Sequence, residues 1–233
     1  RELVIVRSIV ISVILYLGPS LYAGSLSLIQ RDIHESLVSD SGWKYWESVE
    51  EYSVSTKIIP DQDLVAVSVS GTSSIQPEII QSIVYDIANY PRVLKSSPGI
   101  ISKEITHERG MKVGYQYLAI DFPFFSDRHY LFEIRKPNLE DGQNPLLIRW
   151  ELMEKLERYS NNFVSCEDGC IYLDLGVGIW KVSAMDDGRY QYSYRLFMDP
   201  GGTIPNFIID QINSLSVVNI FSDVMNEAGR RSR

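Results

Sequence analysis

The feature that most constrains the fold is an apolar helix near the C-terminus. Between Thr203 and Ala228, apolar residues recur at helical spacing on more than one side, and the charged residues are only Asp210, Asp223 and Glu227. Such a helix would be about 39 Å long, and its interspersed asparagines and serines are unlike the sequence of a membrane span. Because most of its surface is apolar, the rest of the chain must enclose it.

Most of the remaining chain has the alternation of apolar and polar residues that is typical of β-strands. Two alternating segments flank the turn sequence PDQD at residues 60–63, which predicts an antiparallel hairpin. The period then changes to that of a helix, which we expect to stop at Pro91. After Gly99 the chain returns to alternating segments with short turns. This order predicts an α+β fold in which a large, curved antiparallel sheet wraps around the C-terminal helix.

The first 25 residues, RELVIVRSIVISVILYLGPSLYAGS, have the order of a secretion signal. Arg1 and Arg7 precede an apolar run, and small residues follow around Ala23. We expect export to a periplasmic or extracellular space with cleavage near Ala23; the alternative is an uncleaved N-terminal anchor. The predicted segments are a secretion signal at 1–25, an N-terminal helix or linker at 26–42, one folded domain at 43–228 and a basic tail at 229–233.

Composition argues against one class of partner. The chain has 30 acidic and 22 basic residues and a formal net charge of −8, so it has no overall positive field to hold a phosphate backbone. We therefore expect no nucleic-acid partner.

The two cysteines, Cys166 and Cys170, flank the turn tripeptide EDG. In an oxidising compartment they are predicted to close a small disulfide loop; the alternative is a pair of free thiols at the surface. None of the three histidines has metal-ligand spacing to this pair. We expect neither a metal nor a cofactor.

Two motifs resemble those of START (StAR-related lipid-transfer) domains, a branch of the helix-grip superfamily. FPFFSDRHY, at residues 122–130, is similar to the family's Pro-x-x-Ser-Asp-Arg-aromatic segment. GIWKV, followed by YQYSYRLFMDPGGTIPNFIID, is similar to its Gly-x-Trp, Tyr and Asp-Pro-Gly-Gly-x-Ile-Pro run. The resemblance covers about residues 43–228. Phe122 and His129 depart from it, because the family often has tryptophan and aspartate there.

The resemblance implies a helix-grip fold with an internal apolar cavity between the sheet and the last helix. It also implies that Phe122, Phe124 and Phe125 form a lid over the cavity mouth; the alternative is that these rings only fill the core. Further candidate ligand contacts come from the strands and the last helix, namely Arg128, Tyr130, Tyr192, Tyr194, Phe207, Ile208, Ile212 and Phe221.

Two of these candidates have structural alternatives. Strand alternation places Arg128 on a mostly apolar face, where it either binds a ligand head group or forms an ion pair with Asp121 or Asp127. The tyrosines at 192 and 194 either offer hydroxyl groups to a ligand or only pack within the sheet.

Motifs for catalysis are missing from the sequence. It has no Gly-x-Ser-x-Gly elbow, no His-Glu-x-x-His and no phosphate-binding loop with a lysine. His129 lies beside Asp127 and Arg128, but neighbours on a strand point to opposite faces, so we expect a solvent-facing or structural histidine.

We therefore expect a monomeric, non-enzymatic protein that binds or carries a lipid or another hydrophobic small molecule, with transient membrane contact. A helix-grip enzyme of the cyclase or dehydratase type, acting in the same cavity, is the alternative. A third hypothesis is a structural domain whose cavity has collapsed.

Overall fold

The computed structural model describes residues 18–108, 110–120, 126–137, 146–166, 169–202 and 206–233, and for 18–27, 146 and 206–215 it describes the backbone. The helices are α1 (Gly18–Val38), α2 (Pro77–Val84), α3 (Tyr90–Val93) and α4 (Asn206–Arg231), with 3-10 turns at Ile87–Asn89 and Glu157–Asn162. The strands are β1 (Lys44–Val49), β2 (Tyr52–Ile58), β3 (Val65–Ser73), β4 (Ile101–Glu108), β5 (Met111–Leu118), β6 (Arg128–Arg135), β7 (Leu146–Met153), β8 (Ile171–Tyr172), β9 (Gly176–Ala184) and β10 (Tyr190–Met198).

The strands form one antiparallel sheet in the order β1-β2-β3-β10-β9-β7-β6-β5-β4. The short strand β8 lies off this path and pairs in parallel with the first residues of β6. The hairpin predicted around residues 60–63 is β2–β3. The α+β prediction of a large antiparallel sheet with a C-terminal helix is confirmed.

One face of the sheet, which we call the inner face, packs against α2 and α4. Val217, Phe221 and Val224 of α4 are at most 3% exposed, and they join inward-pointing residues of the strands in the largest apolar cluster. Burying a large apolar side chain stabilises the fold by about 1.5–3 kcal/mol. The apolar surface of the C-terminal helix is therefore the reason why the sheet wraps around it.

The opposite, outer face carries α1. Ile33 and Leu37 of α1 are buried against Val177, Ile179 and Phe197 of the central strands. The segment that the sequence predicted as an N-terminal helix or linker is thus helical as far as Val38 and belongs to the folded unit. The backbone of α1 is also helical through Ala23, where the sequence predicts cleavage.

Within the described residues, no helix combines the length and the apolar character needed to cross a bilayer. At the other terminus, α4 continues to Arg231. Most of the predicted basic tail is therefore helical.

Candidate ligand-binding site

Strand alternation places a row of aromatic rings on the inner face. Trp180 of β9 stacks on Tyr194 of β10 with ring centroids 4.8 Å apart. Trp180 also lies nearly parallel to Phe221 of α4, with ring centroids 5.4 Å apart. Tyr52 of β2 meets Phe221 edge to face at 5.0 Å. These stacked rings connect the middle of the sheet to the helix that it grips.

Trp150 of β7 continues this row but differs from its neighbours in exposure. Ile148 and Leu152, which flank it on the same strand, are 0% and 2% exposed, whereas Trp150 remains partly exposed. Its indole ring packs against the inner-face cluster. Trp150 lies in the middle of a wide sheet, on the face that packs against α2 and α4, so its exposed part indicates space between the sheet and that helix layer.

We define the candidate mouth of this space as the end of the sheet that carries Leu118, Arg128, Ile171 and Met198. Leu118 pairs with Arg128 in register, and Arg128 pairs with Ile171. The three apolar members are all partly exposed while packing against the inner-face cluster. The mouth lies next to residues 121–125 and 203–205 in the chain.

Arg128 holds the mouth together through main-chain contacts. It is 3% exposed, and its Nε donates to the Pro200 carbonyl at 3.2 Å. Its Nη2 donates to the Gly201 carbonyl at 3.5 Å, and its Nη1 donates to the Ser126 carbonyl. Burial lowers the pKa of the guanidinium. Arg128 therefore ties the start of β6 to the turn that precedes α4.

The ion pair considered for Arg128 is not formed with the described candidate, Asp127. The Asp127 carboxylate accepts hydrogen bonds from the Tyr117 hydroxyl and, at 2.8 Å, from the Ile120 backbone N–H. The hydrogen bond from Tyr117, followed by that from Ile120, lowers the Asp127 pKa. The other candidate, Asp121, lies outside the described residues.

The predicted tyrosines share the inner face but have different hydroxyl partners. Tyr192 is 0% exposed, and its hydroxyl donates to the Ile75 carbonyl. Burial raises the pKa of Tyr194, while a hydrogen bond with the Trp150 indole opposes that rise. Tyr192 is thus engaged structurally, and Tyr194 and Trp150 form one polar contact beside the accessible space.

Tyr130 belongs to a row of polar residues that sequence reasoning missed. Its hydroxyl donates to the Gln116 Oε1 at 2.5 Å, and Gln116 lies opposite Ser102 in the β4–β5 register. Tyr130 and Gln116 are 7% and 6% exposed. Burial raises the pKa of the Tyr130 hydroxyl. Only the strand register, which a sequence without pairing information does not supply, brings these three residues together.

The remaining predicted contacts fall outside what the structure describes. This applies to the lid residues Phe122, Phe124 and Phe125 and to the side chains of Phe207, Ile208 and Ile212. Phe221 is described, and its ring is fully buried in the aromatic row.

His129 does not take part in the inner-face site. It points to the outer face, where it is 6% exposed, and its Nδ1 is 3.2 Å from the Tyr115 hydroxyl. The rings of Phe163 and Tyr172 also pack on it edge to face. Burial, followed by the charge of Lys155, lowers the His129 pKa. His129 is therefore a buried structural residue, and the solvent-facing alternative is wrong.

Cys166 and Cys170 form a disulfide with their Cα atoms 5.6 Å apart. Ile171, the next residue, donates its backbone N–H to the Asp127 carbonyl at 2.9 Å. The disulfide loop therefore ends directly at the mouth.

No protein-family model matches the chain, and no curated protein matches its sequence. Solved structures do match. A STAR-related lipid transfer protein from Xanthomonas axonopodis is 14% identical with a TM-score of 0.64, and the match covers 81% of this chain and 99% of that chain. Human StAR-related lipid transfer protein 5 is 12% identical with a TM-score of 0.64, covering 92% and 99%.

The Zhui aromatase/cyclase from a Streptomyces species is 12% identical with a TM-score of 0.51, and the match covers 72% of this chain and 95% of that chain. At these identities the likeness shows the fold alone. It confirms that the chain has the helix-grip fold of START domains, as the two motifs predicted.

Proposed function

We propose that this helix-grip chain binds a lipid or another hydrophobic small molecule between the inner face and α4, and that it carries the molecule rather than transforming it. The observation that carries the proposal is the partial exposure of Trp150 between two fully buried neighbours. Apolar and aromatic walls with a few polar groups are typical of small-molecule sites. Two of the proteins that share this fold are StAR-related lipid transfer proteins.

Two titratable groups of the inner face favour binding over catalysis. Tyr130 and Tyr194 lie on the inner face, and burial raises the pKa of both hydroxyls. Neither is suited to exchange protons near neutral pH. His129, the histidine of the sequence cluster, faces the other side of the sheet. The likeness to the aromatase/cyclase supports the shared fold, so an enzyme remains the alternative.

We extend the proposal to location: the chain acts in an exported compartment. The basis is the order of charged, apolar and small residues in the first 25 positions. A fusion of residues 1–25 to a reporter that is active only outside the cytoplasm should show activity, and the mature chain should begin near Gly24 or Leu26. An active reporter that keeps these residues would support the anchored alternative, and an inactive cytoplasmic reporter would contradict export.

Binding is tested with a quencher that acts at short range. Methyl 9,10-dibromostearate should quench tryptophan fluorescence saturably and displace Nile red. In Trp150→Phe, Nile red should still be displaced while most of the ligand-dependent quenching is lost. Trp46, which is 53% exposed, provides the matched control, and Trp46→Phe should keep the quenching.

The proposal fails if neither quenching nor displacement saturates in the wild-type protein. If both saturate, mass spectrometry of small molecules that copurify with the protein from its own host would identify the natural ligand class.

A further inference from the structure

From the polar row on the inner face we infer that the ligand is an apolar molecule with one uncharged hydrogen-bonding oxygen, which Ser102, Gln116 and Tyr130 bind. This inference rests on the proposed function and adds the chemistry of the ligand. The three residues come from β4, β5 and β6. Ser102 lies opposite Gln116, and Gln116 lies opposite Tyr130, in two consecutive antiparallel pairings. Because directly opposed residues project to the same face of a sheet, the three side chains form a continuous strip.

The hydrogen-bonding capacity of this strip exceeds what the described residues use. The Ser102 hydroxyl oxygen is buried, and no described residue hydrogen-bonds it. Gln116 accepts the Tyr130 proton through Oε1 at 2.5 Å, so the Ser102 hydroxyl and the Gln116 amide group are the donors that this contact leaves to the strip. Burying polar groups without partners is costly. A ligand oxygen placed on the strip would complete its hydrogen bonds.

The strip is uncharged, which determines the kind of oxygen. A serine hydroxyl, a carboxamide and a tyrosine whose pKa is raised by burial offer no charge to balance a carboxylate or a phosphate. The nearest described cation on the inner face is Arg128, two residues before Tyr130 in β6. Its guanidinium already donates to three main-chain carbonyl oxygens. A hydroxyl or a carbonyl group therefore suits the strip, and an anionic head group does not.

The test measures displacement of Nile red by four ligands with similar chains, supplied from a cyclodextrin complex at pH 8: dodecane, 1-dodecanol, tridecan-2-one and dodecanoate. We compare the wild-type protein with Ser102→Ala and Gln116→Leu. Each variant should bind the oxygen-bearing neutral ligand about fivefold more weakly, the effect of one lost hydrogen bond, and should bind dodecane as before. If the variants lose affinity for dodecanol alone, the strip binds a hydroxyl group of the ligand. If they also lose affinity for the ketone, the strip binds a carbonyl acceptor.

Ser68 supplies the matched control. It is a buried serine (7% exposed) on the outer face of β3, so Ser68→Ala should bind all four ligands like the wild type. Thermal unfolding of each variant shows whether it is folded. Because the described residues give the Ser102 hydroxyl no hydrogen bond, Ser102→Ala should keep its melting temperature and remain informative even if Gln116→Leu does not fold.

The outcomes separate the two proposals. If Ser102→Ala weakens the binding of dodecane as much as the binding of dodecanol, or weakens the binding of neither, the strip does not bind ligand oxygen and the inference is overturned. Tighter binding of dodecanoate than of dodecanol by the wild type overturns it as well. In these cases hydrophobic binding itself still stands. If no ligand displaces Nile red and Nile red itself does not bind, the proposed function fails instead.

Discussion

The indole ring of Trp150 lies across Gly178 on the neighbouring strand β9. A Cβ atom at Gly178 would fall 2.3 Å from the ring, closer than any real van der Waals contact. The glycine therefore allows the partly exposed tryptophan to lie flat against the sheet. The same relationship makes the position of Trp150 a sensitive reporter of the inner face.

Replacement of this glycine should damage both stability and binding. In Gly178→Ala the new methyl group must push the Trp150 ring off the sheet, and overpacking of this kind costs about 1–3 kcal/mol. The displaced ring would also occupy the space assigned to the ligand. Urea unfolding and Nile red titration measure the two effects.

Gly229 of α4 is the matched control, because a Cβ there would meet nothing within 4 Å. Gly229→Ala should leave binding unchanged and should unfold at the same or a slightly higher urea concentration, since alanine has a higher helix propensity than glycine. Equal stability of the two variants would contradict the packing account of Trp150.

Replacing Arg128 with lysine should destabilise the fold. A single ammonium group does not reproduce the fork that donates to Ser126, Pro200 and Gly201, so Arg128→Lys leaves buried carbonyl groups without donors. We expect a loss of about 1–3 kcal/mol in the free energy of unfolding. Faster amide hydrogen exchange at Gly201 should accompany it.

The partly buried pair of Arg149 with Glu151 provides the comparison. Arg149 makes a single contact with the Glu151 carboxylate, which a lysine can keep, so Arg149→Lys should change stability by less than about 1 kcal/mol. If both lysine variants behave alike, Arg128 does not fix the mouth.

Glu227 should make stability depend on pH in the acid range. Hydrogen bonds from Arg230 are the largest cause that lowers the Glu227 pKa from 4.5 to about 2; desolvation opposes this shift, and hydrogen bonds from Arg231 add to it. The Arg92 Nη2 of α3 lies 3.3 Å from the Glu227 Oε1. A lowered pKa in the folded state stabilises the protein above about pH 4.5, and this contribution is lost as the pH falls toward 2. Because the Arg92 and Arg230 side chains are 49% and 62% exposed, solvent screening limits the effect to about 1 kcal/mol.

Accordingly, Glu227→Gln should unfold at lower urea than the wild type at pH 7, and the two proteins should converge near pH 2. High salt should narrow the difference at neutral pH. Asp32→Asn, in the exposed pair with Arg31, serves as the control and should not change the midpoint. A difference that persists unchanged at pH 2 would show that lost packing, not charge, causes the effect.

The disulfide should be present in protein from an oxidising compartment. Mass analysis without reductant should find the Cys166 and Cys170 pair about 2 Da lighter than two free thiols. Removing the cross-link by Cys166→Ser with Cys170→Ser should cost about 2 kcal/mol, as expected for a short loop. Alkylation of both thiols without reductant would reject the disulfide.

The lid prediction concerns Phe124 and Phe125, which the structure does not describe. If their rings cover the ligand, replacing both with serine should weaken capture of Nile red while changing the melting temperature little. If they fill the core instead, each truncation should cost about 3–5 kcal/mol. A large loss of thermal stability would therefore reject the lid.

The fold was more predictable than the site. Helical spacing around Phe221 and the alternation around Tyr194 are local signals, so they indicated both the gripped helix and the strands. The pairing of β3 with β10, in which Val69 lies opposite Tyr194, is set by closure of the whole sheet, and no local pattern encodes it. The strip through Gln116 depends on two such registers. Sequence alternation put His129 and Arg128 on different faces of the sheet. It could not show that the Phe163 ring packs on His129, because Phe163 follows a 3-10 turn that is distant in the chain.

The pairing of β3 with β10 also sets an order of events for the chain. Residues 65–73 bond to residues 190–198, so β3 has one of its two edges unsatisfied until most of the polypeptide has emerged from the ribosome or a translocation pore. Contacts between such distant segments slow folding, and open strand edges attract other chains. The N-terminal hairpin thus passes through an interval of exposure in which a holding chaperone, or slow release of the chain, would raise the yield of folded protein.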